Sequence, residues 1–429
     1  MKKSLLAFFS LFNVLLANAG KVQVDNLYYI LDTENGTAQV TYSVDKPFGY
    51  DQEDYNYSFM PETIIVPASV SYLGSDYAVT SIGKAAFCGA KHLVEVQIPS
   101  TVISIERNAF QNCRNLRKVN IPAAVSSIGH SAFYNCESLS SVEGESLDSW
   151  CAIEFEDCYS NPMCYTHQLN IAGEQITELQ IPASVSRICN YAFAGSNIAS
   201  VSIPTTVTSI GDGAFMNCEG LTRIEVPSSV ATIGQDVFNH CTSLESISLP
   251  AMLSELGKHA MVNCTNLKDI EIPEAITEIG DRTFYGCTTL KSVKFNSRQQ
   301  LQLGGKVFEK CNALEDVYCD TNEPPVAEDF DVFESQTYSA ATLHVPDKDY
   351  SLYTSTTPWS RFLNIVSLST GETLGINYVD LNENEEYMVV NHQGIIVKQK
   401  ARREDLKNLD KGIYIFINES TGRRFKMIK

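Results

Sequence analysis

The chain is poor in the side chains on which catalysis and nucleic-acid binding most often depend. Its seven histidines are scattered along 429 residues, and no H-E-x-x-H, phosphate-binding glycine loop or dinucleotide fingerprint occurs. Cations are scarce: 32 Lys+Arg stand against 51 Asp+Glu, a formal charge of −19. That balance opposes the many phosphate contacts that nucleic acid requires, so nucleic acid is excluded as a partner. With 44% apolar and 19% charged residues, the composition also excludes wholesale disorder. Long apolar runs are missing as well. The longest, Leu5 to Leu16, spans about 12 residues where a membrane helix needs about 20.

That run has a different meaning. Lys2 and Lys3 precede it and Ala17-Asn18-Ala19 follows, the small-x-small pattern of a cleavage site. Residues 1–19 are therefore expected to be a secretory signal peptide, with the remainder secreted or on the outer cell surface. No cysteine follows the cleavage site before Cys88, so a lipid-anchored N-terminus is not indicated.

What the chain has in abundance is self-similarity. Units of 23 residues open at Ile203, Val226, Leu249 and Ile272, others at Ile98 and Ile121, and a shorter one at Ile181. Pro99, Pro122, Pro182, Pro204, Pro227, Pro250 and Pro273 end a short apolar strand, because proline cannot donate to a sheet ladder. An Ile column follows (Ile105, Ile128, Ile188, Ile210, Ile233, Ile279), then a glycine (Gly129, Gly211, Gly234, Gly280) expected to serve a turn. The Phe column comes next: Phe87, Phe110, Phe133, Phe193, Phe215, Phe238, Phe284 and Phe308, with Met261 in the remaining place. One unit is too small to bury its own apolar side. Stacked at about 4.8 Å per coil, ten or eleven coils would turn each column into a buried ladder on the order of 50 Å long.

The pattern L-x-x-(I/V)-x-(I/L)-P-x-x-(V/I)-x-x-I-G-x-x-A-F-x-x-C-x-x-L over residues 79–318 resembles that of BspA-like, or treponemal-type, leucine-rich repeats. The resemblance implies a β-dominated leucine-rich repeat solenoid with short strands and turns or short helices per coil. It also implies a secreted or surface protein that adheres to host matrix proteins or cells. Residues 20–78, Tyr-rich and alternating, resemble the N-terminal β cap of that family, and residues 319–368 its C-terminal cap. Residues 144–176 interrupt the period and resemble a variant coil. Residues 369–429 are similar to the β-modules that sort proteins in Bacteroidetes secretion, a bland β-module being the alternative.

Seven of the 13 cysteines (Cys113, Cys136, Cys218, Cys241, Cys264, Cys287, Cys311) lie three residues after the Phe column, with Ser196 in the unit at Ile181. This column is expected to hold small buried apolar groups as free thiols. Cys88, Cys151, Cys158, Cys164, Cys189 and Cys319 lie outside it. For Cys151, Cys158, Cys164 and His167 a metal site, one disulfide and free thiols all remain open, although the spacing fits no recognised zinc pattern.

Catalytic motifs are explained by the repeat. Gly129-His130-Ser131-Ala132-Phe133 lacks the closing glycine of a nucleophile elbow, and Asp380-x-Asn382-x-Asn384 lacks the turn glycine and final glutamate of a calcium loop. No catalytic residue, metal or cofactor is assigned. Any binding surface is expected on outward strand residues flanking the closing Ile/Val. These are Glu95, Gln97, Lys118, Asn120, Glu143, Glu178, Gln180, Arg223, Glu225, Asp269, Glu271, Lys294, Asp316 and Tyr318, with serines between them. No histidine is expected beside these carboxylates. The strip suits an extracellular protein or host-surface macromolecule, or is simply solvated. A glycan is the other ligand considered, with Tyr50, Tyr55 and Tyr57 as its aromatic platform, and a hydrolase would need a cluster within 144–176.

Overall fold

The computed structural model describes residues 21–42, 61–327, 331–371, 385–391, 393–410, 413–418, 420 and 424–428. The signal-like residues 1–19, Tyr50, Tyr55, Tyr57 and the Asp380 to Asn384 segment lie outside them. The chain divides into two compact units, one ending at Thr265 and the other beginning at Asn266.

In the first unit every regular coil contributes two short parallel strands. The closing Ile/Val and its polar flanks form the first: Glu95–Gln97, Lys118–Ile121 and Ser141–Gly144 pair in register, Val96 on Val119 and Val119 on Val142. Proline then ends the strand, and its carbonyl accepts the N–H three residues on, as in Val102 to Pro99 (3.1 Å) and Val230 to Pro227 (3.0 Å). The Ile column makes the second strand, Ser104–Ile105, Ser127–Ile128 and Glu154–Phe155, again parallel and in register.

The glycine after that Ile opens a turn, its carbonyl accepting the N–H three residues on, as in Ala132 to Gly129 (3.1 Å) and Ala214 to Gly211 (3.3 Å), but the turn does not need left-handed geometry from it. Gly211 and Gly234 are absent from the left-handed region; instead, a Cβ on Gly211 would lie 2.7 Å from the Asn190 backbone nitrogen, and one on Gly234 2.7 Å from that of Asp212. Glycine is required because adjacent coils touch backbone to backbone. Left-handed geometry falls elsewhere, two residues before the Phe column (Asn108 at φ 59°, Asp236 at 54°) and two after it (Asn112 at 60°, Asn217 at 58°).

The Phe column forms near-parallel stacks, Phe87 on Phe110 and Phe110 on Phe133 with ring centroids 5.2 Å apart, then Phe193 on Phe215 (5.7 Å) and Phe215 on Phe238 (5.8 Å). Every ring is buried, each worth roughly 1.5–3 kcal/mol. The cysteine column beside them is not purely apolar. Cys113, Cys136, Cys218, Cys241 and Cys264 each donate a thiol hydrogen bond of 3.0 to 3.2 Å to the Phe carbonyl one coil earlier.

Between the two Phe stacks lies the 144–176 segment, one coil of altered build. Ser146 caps the helix Leu147–Cys151, whose Trp150 is buried and donates to the Ala192 carbonyl at 2.7 Å. Glu154–Phe155 continues the Ile-column ladder, while Asn170–Ile171 joins the closing-strand ladder and then turns back antiparallel through Glu174–Gln175. A new closing-strand ladder starts at Glu178–Gln180 and runs through Ser200–Ser202, Arg223–Glu225 and Ser246–Ser248.

At the N-terminal side, Lys21–Val24, Leu27–Asp32 and Thr37–Thr41 form an antiparallel meander. Its last strand pairs parallel with Ser75–Ile82, which itself pairs with Ser104–Ile105. The meander thus covers an edge that would otherwise be open.

In the second unit the closing-strand ladder runs Asp269–Ile272, Ser292–Phe295, Asp316–Cys319, Thr342–Val345 and Asn364–Ser367, all parallel. Phe284, Phe308 and Phe333 stack beside it at 5.2 Å spacings. Trp359, fully buried, packs edge-on against Phe295 and Phe333 and donates to the Pro325 carbonyl at 2.7 Å. Tyr387–Asn391, Ile396–Ala401, Ile413–Asn418 and Arg424–Ile428 make a separate four-stranded antiparallel sheet over Tyr387, Val389, Ala401, Tyr414 and Phe416.

Candidate binding surfaces

Alternation sends the residues on either side of each closing Ile/Val outward, and the candidate residues fall on three separate ladders. The first carries Glu95, Gln97, Lys118, Asn120 and Glu143, along a shallow groove of about 380 Å³. Several of these side chains serve the fold. Asn120 accepts the Ile98 N–H at 2.7 Å and donates to the Ile98 carbonyl at 2.8 Å, and Glu143 accepts the Gly173 N–H at 2.6 Å. Glu95 and Lys118 form a loose surface pair at 3.8 Å, of little energetic weight. The second ladder carries Glu178, Gln180, Arg223 and Glu225, all exposed and separated by the serine strands.

The third ladder, in the second unit, is the most interconnected. Lys294 reaches Glu271 at 3.0 Å and Asn296 donates to the same carboxylate at 2.7 Å. These donors, Lys294 first, hold the Glu271 carboxyl below its usual range. The expectation that no histidine would stand beside the carboxylates is overturned here. His344 pairs across the ladder with Tyr318, its ring stacks on Tyr318 at 4.1 Å, and its Nε2 lies 2.7 Å from Asp316 Oδ1. Sequence periodicity missed His344 because it lies beyond the last repeat, on a strand that joins the ladder in register. A strand-like T-L-H-V-P following an aromatic-ended repeat was the available signal.

A second kind of surface lies at the turns of the first unit. An open groove of about 540 Å³ is bounded by Asn108, Gln111, Tyr134, Tyr159, Tyr191 and Asp236 among others. Tyr134 and Tyr159 meet edge to face at 5.1 Å and both are exposed. Ser131 and His130 stand at its margin without a triad geometry. Ser131 Oγ lies 2.9 Å from His130 Nδ1, the same ring nitrogen that contacts Asp157, while the Ser131 N–H also donates to Asp157 at 3.1 Å. A relay would need the serine on the other ring nitrogen.

Of the four residues grouped within the insertion, the structure separates two. Cys151 is buried, with its carbonyl accepting the Cys189 N–H, and His167 turns its Nδ1 to the Gly195 carbonyl at 2.7 Å. Cys158 and Cys164 remain together, half-buried. Among the described residues no group of three His, Cys, Asp or Glu is placed to hold a metal. Nor is any described helix long and apolar enough to cross a membrane.

Paired parallel ladders wound from coils of 22–23 residues define a leucine-rich repeat solenoid in each unit. The sequence profile of the BspA type leucine rich repeat region matches in six copies, over residues 66–171, 170–291 and 255–324, and the chain belongs to that family. Among solved structures, a leucine-rich repeat protein from Bacteroides ovatus is 27% identical over 81% of this chain and 89% of its own, with a TM-score of 0.54. A leucine rich cell surface protein from Faecalibacterium prausnitzii is 21% identical, covering 70% of this chain and 95% of its own, TM-score 0.33. The pneumococcal vaccine antigen PcpA is 15% identical, covering 81% and 97%, TM-score 0.45. No curated protein sequence matches.

Proposed function

We propose that this protein is a secreted or cell-surface recognition scaffold without catalytic function that adheres to an extracellular protein through its strand faces. The observation that carries the reading is the second ladder. Arg223 and Glu225 stand exposed in register with Ser200, Ser246 and Ser248, a polar surface suited to reversible protein contact. The signal-like residues 1–19 and the family's surface character support the location. The test is binding of residues 20–429 to immobilised extracellular-matrix proteins and to epithelial cells. Saturable binding weakened about tenfold by Arg223→Ala with Glu225→Ala is expected, and binding that never saturates would refute the adhesin reading.

A second reading, a glycan-binding accessory of a nutrient-capture system, is favoured by the turn-side groove. Tyr134 and Tyr159 present aromatic surface on which a sugar ring can stack, beside the amides of Asn108 and Gln111. A glycan array with wild type and Tyr159→Ala separates the two readings. For the C-terminal sheet, sorting and surface attachment are proposed. Deletion of residues 369–429 should leave the protein inside the cell envelope on fractionation, and unchanged surface display would exclude the role.

A further inference from the structure

Thirteen free thiols divide sharply by environment. Eleven are buried, and only Cys158 and Cys164 are half-buried. Cys158 opens a single helical turn, Cys158–Ser160, and lines the aromatic groove. Cys164 lies on the next short helix, Met163–Thr166. Its thiol donates to the Cys158 carbonyl at 2.5 Å, which brings it close enough to the Cys158 side chain for each thiol to shift the ionisation of the other. The intervening Asn161-Pro162 turn is rigidly held. Asn161 is fully buried, donates to the Tyr191 and Ala192 carbonyls, and accepts the Met163 N–H. Gly195 packs so tightly behind Cys164 that a Cβ there would lie 2.8 Å from the Cys164 Cα. The two cysteines are thus held side by side by a fixed frame, with Cys158 on the groove wall.

We infer that Cys158 and Cys164 are an oxidisable pair, with Cys158 the attacking thiol and Cys164 the resolving one, and that their disulfide forms at the wall of the groove. The two thiols differ as this assignment needs. Contact with Cys164 lowers the Cys158 pKa, whereas the same contact, with partial desolvation behind it, pushes Cys164 far up. The thiolate is the reactive form. The oxidant is a small-molecule disulfide such as oxidised glutathione. Cys158 thiolate attacks one of its sulfurs and expels one glutathione thiolate, leaving a mixed disulfide. Cys164 then yields its proton to solvent and attacks the Cys158 sulfur, expelling the second glutathione. Two protein thiols become one disulfide, and one glutathione disulfide becomes two thiols. Bond formation requires the Cys164 thiol to leave the Cys158 carbonyl, so oxidation ties Cys158, and with it the neighbouring Asp157 and Tyr159 of the groove, to the second helix.

The experiment treats the folded chain with oxidised glutathione, blocks remaining thiols after denaturation, and cleaves with cyanogen bromide. Cleavage after Met163 severs the backbone between the two cysteines. The flanking fragments should stay joined until a reductant is added, in wild type and in Cys151→Ser, and should separate in Cys158→Ser and Cys164→Ser. Fragments that separate in oxidised wild type, a linkage that survives Cys158→Ser, or a lasting glutathione adduct on Cys158 would each overturn the assignment. Circular dichroism of the variants before oxidation establishes that separation reflects lost chemistry and not lost folding.

Discussion

A cysteine in the repeat column does two jobs at once: it fills a buried space beside the Phe stack, and it supplies a donor to the Phe carbonyl one coil back. Ser196, which replaces the cysteine in the unit at Ile181, turns its hydroxyl to Cys218 Sγ at 3.3 Å. Burial raises the Cys218 and Cys264 thiols to about 12. An unfolded thiol ionises near pH 9, so the folded state holds the extra proton above that pH and stability falls as pH rises toward the folded pKa. The expected loss is about 1.4 kcal/mol per thiol for each pH unit above 9, read from urea midpoints at pH 8 and pH 10. Cys241→Ala should show a shallower alkaline slope, and at pH 7 should cost about 1 kcal/mol, because the Phe215 carbonyl keeps the Cys218 N–H but loses the thiol as its second donor. Glycine acts by a different route at Gly195, which is left-handed at φ 78° and packed on Cys164. Gly195→Ala should destabilise by about 2–4 kcal/mol, strain and collision together, measured by thermal melting. The columns of Phe, Pro and Cys were legible in the sequence because each recurs in type. The thiol bond was not, since it joins residues 25 to 27 apart across coils and one-dimensional periodicity carries no such pairing. The left-handed positions were within reach: Gly89, Asn112, Asn135, Gly195, Asn217, Asn263 and Gly286 all fall two residues after the Phe column, and Gly and Asn are the residues that tolerate that conformation.

At the scale of elements, the altered coil shows how an array is spliced. Ser160 occupies the place that Phe fills elsewhere, and the Phe stack is interrupted. Asn161 and Trp150 take over by donating side-chain hydrogen bonds to the Ala192 carbonyl. Asn161→Ala should therefore cost about 1–3 kcal/mol, because the Met163 N–H loses its acceptor and the Tyr191 and Ala192 carbonyls each lose one of two donors, while Asn161→Asp should recover only the Met163 contact, since a carboxylate cannot donate. Denaturant unfolding of both variants checks this. That the segment was a coil could be read from its Trp and Leu-Asn-Ile pattern. That it ends one strand ladder and begins another could not, because the antiparallel return through Glu174–Gln175 depends on the turn at Gly173. The 14 residues of the expected face lie on strands whose alternation the sequence shows, but their division into three ladders, and the use of Asn120 to tie down Ile98, depend on partners that a single strand's sequence does not name.

For the molecule as a whole, ends matter more than length. The meander Lys21–Thr41 buries Tyr29 and Val40 and occupies the edge of Ser75–Ile82. Deleting residues 21–42 should leave that edge open to pairing with a second chain. Concentration-dependent oligomers by light scattering are the expected outcome, and a monodisperse monomer would show that the edge is protected by other means. The formal charge of −19 favours solubility of the intact chain, so its aggregation on cap removal would be attributable to the strand edge.

The thiol-to-carbonyl bonds have a consequence for how such a chain can change over generations. Each points backwards, so a coil needs a Phe carbonyl behind it and offers one to whatever follows. The coil of Phe87 has none behind it and carries Ala90 where the others carry cysteine. A 23-residue segment copied or lost within the regular run therefore meets compatible neighbours on both sides, and copy number can drift without any new junction being invented. A first coil enjoys no such freedom, since a thiol moved there would be left with no acceptor.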